Sequence, residues 1–236
     1  MKIATTLGAC SVLAATSMLS ADFVEFYSDG WCGMNIDGST GEIGGGAEFC
    51  VIDIYAQFNS NESDGFPHTD TAVLNVFDAD IGMTDGRGFE HADVAGEAWD
   101  PGFSFDLPSL GSHPHVDSFV VVGGDPGVMN NTVLDPNFDP STGGFIPAGA
   151  GWFSGDPAAL QGRVDGDLRT FLGRFVVSDN DAIGESLTFS LSLGYHYGPG
   201  TGTFFAGGSN SWAIVPAPGA LAFLGLAGLA PRRRRG

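Results

Sequence analysis

Positive charge is nearly missing from this 236-residue chain, which sets 9 Lys and Arg against 28 Asp and Glu and carries its single lysine at Lys2. Half of the arginines stand together at 232–235. The segment from Asp22 to Ile214 therefore holds Arg87, Arg163, Arg169 and Arg174 against all 28 acids, a net −24. A surface of that sign repels phosphate backbones and excludes nucleic acid as a partner. Catalytic signatures are also missing. There is no G-x-S-x-G elbow, no H-E-x-x-H, no phosphate-binding glycine loop and no dinucleotide fingerprint, so the expectation is a non-enzymatic protein. No apolar run reaches the 18 or so residues that a stable membrane span needs. What the chain has in abundance is glycine, 37 residues, with 13 prolines and 43% hydrophobic residues, a composition that suits one large all-β domain.

The two ends differ from the body. Lys2 followed by an apolar stretch from Ile3 to Ala15 reads as an export signal over 1–21, with a small residue at either Ser17 or Ala21 for cleavage and Asp22 as the working mature start. At the other end, Val215, Pro216, Ala217 and Pro218 precede the apolar run Gly219 to Ala230, and Arg232, Arg233, Arg234 and Arg235 follow it. Twelve residues of helix rise only about 18 Å, short of a hydrocarbon core of about 30 Å. An arginine cluster directly behind such a segment halts translocation and stays on the cytoplasmic side. Pro216 and Pro218 break helix and keep the preceding motif extended. The expectation is a transient anchor over 215–236 that an enzyme processes.

Val215 to Arg235 resembles the PEP-CTERM sorting signal of Gram-negative and planctomycete-type bacteria, in which Val-Pro-Glu-Pro precedes an apolar helix and arginines. Here Ala217 replaces the usual glutamate, a Val-Pro-Ala-Pro variant. The resemblance implies recognition by an exosortase, a membrane-embedded cysteine protease. It also implies passage through an inner-membrane-tethered intermediate and delivery to the cell surface or an extracellular polysaccharide matrix. It says nothing of what the body does.

Between the ends the period is two. Phe49 to Phe58 alternates Cys50, Ile52, Ile54, Ala56 and Phe58 with Val51, Asp53, Tyr55 and Gln57, and Glu185 to Leu193 alternates Leu and Phe with Ser and Thr. Further strands are expected at Phe23–Tyr27, Ala72–Phe77, Val116–Val122, Thr170–Val177, Thr203–Ala206 and Trp212–Val215, eight or nine in all. Asn59–Asp70 and Asn130–Gly151 read as long loops. This pattern predicts a single β-sandwich over 22–214, of Ig-like, cohesin-like or jelly-roll type, with short helices only in the signal and the tail.

Cys32 and Cys50 remain after the signal carries Cys10 away, an even pair in an oxidising compartment, and are expected to form a disulfide. The acids raise Ca²⁺ as a ligand through Asp135, Asn137 and Asp139 and through the pairs Asp78/Asp80 and Asp165/Asp167, which on strands would point the same way. Pro140 and Ile146 break the EF-hand pattern, and turn formation and solubility are the favoured roles, with no cofactor expected. His113 and His115 flank Pro114, and His68 and His91 lie in acidic loops; all four read as exposed. Trp31, Trp99, Trp152, Tyr195 and Tyr197 stand beside Gly, Asp or Pro, where loops would present them to sugars. A carbohydrate-binding module, Ca²⁺-assisted or not, is thus the second functional reading, ahead of a glycoside hydrolase. A structural, matrix-associated role is the first.

Overall fold

The structure, a computed structural model, describes residues 22–36, 47–59, 70–91, 99, 118–124, 130–138, 144–156, 161–178, 182–198 and 200–215. Nine strands run through them: β1 (Phe23–Ile36), β2 (Ala47–Phe58), β3 (Ala72–Met83), β4 (Phe119–Val120), β5 (Thr132–Leu134), β6 (Ala150–Ser154), β7 (Arg169–Ser178), β8 (Ser186–His196) and β9 (Phe204–Ala213). All pairings are antiparallel, in a four-stranded sheet of order β1-β2-β7-β4 and a five-stranded sheet of order β5-β6-β3-β8-β9. The described residues contain no α-helix. The expected signal and tail helices lie outside them.

Alternation does the folding work. Cys50, Ile52, Ile54, Ala56 and Phe58 of β2 and Leu187, Phe189, Leu191 and Leu193 of β8 all enter one core, which also takes Phe26, Val76, Ile81, Trp152, Leu172 and Phe175 from the other strands. The two sheets thus bury their apolar faces against each other, the all-β, sandwich-like arrangement that the period-two pattern predicts.

Several boundaries differ from the sequence reading, each for a packing reason. β1 does not stop at Tyr27 but continues to Ile36, because β2 pairs with it along its length. A glycine inside that run is required: a Cβ on Gly30 would lie 2.8 Å from the Val51 carbonyl oxygen and 2.9 Å from the Trp212 ring. β3 runs on past Phe77 through a bulge at Phe77–Asp80, where Asp78 has φ 52°, a left-handed conformation that Asp tolerates. The expected loop 130–151 contains β5 and the start of β6, too short to show a period. The strands expected at 203–206 and 212–215 are one strand, β9, because β8 pairs across Gly207 and Gly208 without interruption.

Cys32 and Cys50 are directly opposed partners on β1 and β2, and their disulfide closes a separation of 18 residues. In the chain-entropy account a loop of this size stabilises by about 3 kcal/mol. The native protein is expected to weigh less than its reduced form by the two thiol hydrogens and to melt several degrees higher. Two reactive thiols in the native state would refute this.

Candidate functional site

The outer face of the four-stranded sheet gathers a row of aromatic rings and two of the body's four arginines. Its side chains come from alternate positions of three strands: Tyr27, Asp29 and Trp31 on β1 lie opposite Tyr55, Asp53 and Val51 on β2, and β7 adds Phe171 and Arg174 opposite Tyr55 and Asp53. Arg174 grips Asp53 with two parallel hydrogen bonds, Nε to Oδ1 at 2.7 Å and Nη2 to Oδ2 at 2.8 Å. Both partners are largely buried, and the carboxylate holds the guanidinium above its ordinary pKa against the opposing effect of burial.

Arginine also orders the rings. The Arg174 guanidinium lies 5.7 Å from the centre of the Trp31 ring, and that of Arg169 lies 5.0 Å from Tyr55 and 5.8 Å from Tyr27. Arg169 is itself bonded to Asp167 at 2.9 Å. Tyr55 continues the aromatic row to Phe171 at 5.3 Å. Burial, followed by the neighbouring Asp53 carboxylate, pushes the Tyr55 phenol up to about 12. The folded state therefore holds this proton more tightly than the unfolded chain, whose phenols titrate near 10. The Tyr55 contribution to stability is complete below pH 10 and is lost between pH 10 and 12. Alkaline melting curves of wild type and Tyr55→Phe are expected to differ in slope over that window, and identical slopes would reject the assignment.

Two of the three acidic groups take turn-forming roles. Asp165 and Asp167 are not on a strand: Asp165 Oδ1 accepts from the backbone N–H groups of Asp167 and Arg169, both at 2.9 Å, closing the turn before β7. Asp135 Oδ1 likewise accepts from the Asn137 N–H at 2.7 Å, while Asp139 lies outside the described residues. Asp78 and Asp80 are both exposed but separated by the β3 bulge. Asp80 lines a shallow, open groove of about 540 Å³ with Thr188, Ser190, Ser209 and Ser211 on the outer face of the five-stranded sheet. Among the described residues no group of three His, Cys, Asp or Glu side chains is placed to hold a metal ion.

The loop aromatics require the largest correction. Trp99 and Trp152 are each only 1% exposed, and Tyr195 and Tyr197 are buried as well; Trp31 alone of the five is open to solvent. Trp152 stands on β6 and donates its indole N–H to the Val121 carbonyl at 2.9 Å. Trp99 stacks on His91 at 4.4 Å, and the His91 ring is bonded to the Ser118 carbonyl at 2.9 Å, so neither is a free loop side chain. The rings serve as closures of the core, where a large apolar body with one polar handle fits best. His68, His113 and His115 lie outside the described residues.

No family model, curated protein or solved structure matches this chain. The candidate sites therefore stand on geometry. Cys32 and Cys50, expected as a disulfide, are joined. Of the expected sorting residues, Val215 is described and is 62% exposed, while Pro216, Ala217, Pro218 and Arg232 to Arg235 lie outside the described residues. Sequence reasoning passed over Tyr27, Asp29, Tyr55, Arg169 and Arg174 as a group. The available signal was the alternation Tyr27, Asp29, Trp31, obscured by ending the first strand at Tyr27.

Proposed function

We propose that the chain is an exported protein whose tail, 215–236, is a PEP-CTERM-type sorting signal, and whose body serves a structural, non-catalytic role at the cell surface or in a polysaccharide matrix. The observation that carries this reading is the contrast between Ile214 and Val215. Ile214 is 1% exposed, donates its N–H to the Glu185 carbonyl at 2.9 Å and accepts from Gly184 at 3.0 Å. Val215, the first residue of the Val-Pro-Ala-Pro motif, is 62% exposed directly after it. A processing enzyme that acts C-terminal to Ile214 would leave these contacts of the body in place. The disulfide suits an oxidising destination, and the acidic body suits a solvated one.

Within the sandwich class, the strand order supports the jelly-roll member. The pair β2–β7 encloses the pair β3–β6 and lies in the other sheet, and the central orders β2-β7-β4 and β6-β3-β8 are those of a jelly roll. Intact-mass measurement of surface-extracted protein tests the sorting reading. A mature chain ending within Val215–Pro218 supports it, and one ending at Gly236 defeats it.

A further inference from the structure

We propose that the outer face of β1, with Tyr27, Asp29 and Trp31, binds a neutral polysaccharide strand. This deepens the matrix-associated reading by naming the chemistry of the polymer. It depends on that reading only for where the polymer is met.

The geometry begins with period two. Tyr27, Asp29 and Trp31 occupy successive outward positions on an edge strand, with regular pairing to Tyr55, Asp53 and Val51 and no bulge between them. The two rings therefore stand about 13 Å apart on one side of the strand with a carboxylate between them. Each ring is 37% exposed, and Asp29 and the neighbouring Glu25 are exposed too. The rings are held in place before any ligand arrives: the Arg174 guanidinium lies 5.7 Å from Trp31, that of Arg169 lies 5.8 Å from Tyr27, and Tyr27 meets Tyr55 at 6.3 Å. Ordering of this kind lowers the entropy lost on binding.

The occupant follows from the chemistry of the face. A pyranose offers an apolar C–H face and a rim of hydroxyl donors. Flat rings meet the first and a carboxylate accepts from the second. A ring, an acid and a ring in line along a strand suit a polymer that repeats that pattern. Acidic polymers are opposed, because Asp29, Glu25 and Asp167 are exposed acids here while Arg174 and Arg169 are committed to Asp53 and Asp167 in a body of net −24. A second copy would bring Asp29 and Glu25 against their own like charges. The carboxylate between the rings also denies a protein partner a continuous apolar patch.

The full chain, purified in detergent, is tested for retention on β-1,4-glucan, galactomannan and xylan, with alginate as the acidic comparison. Retention by at least one neutral polymer and not by alginate is expected. Tyr27→Ala and Trp31→Ala should each weaken it about tenfold and the double variant should remove it, as for central aromatic anchors. Asp29→Asn, which leaves both rings, should weaken it severalfold. Phe205→Ala, on the other sheet, should leave it unchanged. Retained melting temperature and disulfide show that each variant is folded. If a ring variant is not, Asp29→Asn and Trp31→Phe carry the test, the latter expected to keep most of the binding. Retention of no neutral polymer, equal retention of alginate, or wild-type binding by the folded variants overturns the proposal. So does a dimer in sedimentation that the double variant dissolves, which would give the face to a second copy. The sorting reading is tested by C-terminal mass, which none of these substitutions alters, so either can fail alone.

Discussion

With Arg232, Arg233, Arg234 and Arg235 all replaced by Ser, surface delivery is expected to fail and the exported chain to keep its C-terminus at Gly236. The run Gly219 to Ala230 is too short to hold a bilayer by itself, at about 18 Å against about 30 Å. In the sorting reading its residence in the membrane therefore depends on the charges behind it, each strongly opposed to crossing. Without them the tail slips through before the Val215–Pro218 motif can be held against a membrane enzyme. A quadruple Arg→Lys variant keeps the charge and is expected to be processed normally. The body should be indifferent to both changes, because among the described residues the last core contact is made by Ile214, bonded to Glu185 and Gly184. Mass spectrometry of the exported protein decides the matter. Processing of the Ser variant at the wild-type rate and position would remove the arginines from any sorting role.

Asp53→Ala is expected to produce the largest loss of stability of any single change on the outer face of the four-stranded sheet. It leaves Arg174 largely buried with its charge intact and its two hydrogen bonds to Asp53 gone. Removing one partner of a buried pair costs about 3–5 kcal/mol, since the remaining ion has lost that compensation. For a body of this size that lowers the melting temperature on the order of 10 °C. The double variant Asp53→Val, Arg174→Met should recover much of it, because an apolar pair of similar volume has no charge to desolvate. A melting temperature within a degree or two of wild type for Asp53→Ala would show that the pair is solvated. Trp31 gives a second signal: its ring loses a neighbouring guanidinium held at a fixed 5.7 Å, so its fluorescence should shift in the same variant.

The all-β class, the disulfide and the charge character were legible in the amino-acid sequence. Each depends on information that is local or additive. Alternation in Cys50–Phe58 and Leu187–Leu193 needs no partner to be read, two cysteines between Asp22 and Ile214 leave one pairing, and a net −24 is a sum over residues. Strand limits and side-chain exposure were decided by tertiary structure. Gly30 looks like the end of a strand until the Trp212 ring is seen packed where its Cβ would be. Gly207 and Gly208 look like a turn until β8 is found paired across them. Trp99 and Trp152 stand beside turn residues, yet they are buried because the volume at that end of the core has to be filled and the Val121 carbonyl is there to receive an indole N–H. Of the candidate binding face only the alternation Tyr27, Asp29, Trp31 was legible, being local to one strand. Tyr55 and Asp53 on β2 and Arg169 and Arg174 on β7 join it only through the order β1-β2-β7, which long-range pairing selects and no local pattern encodes.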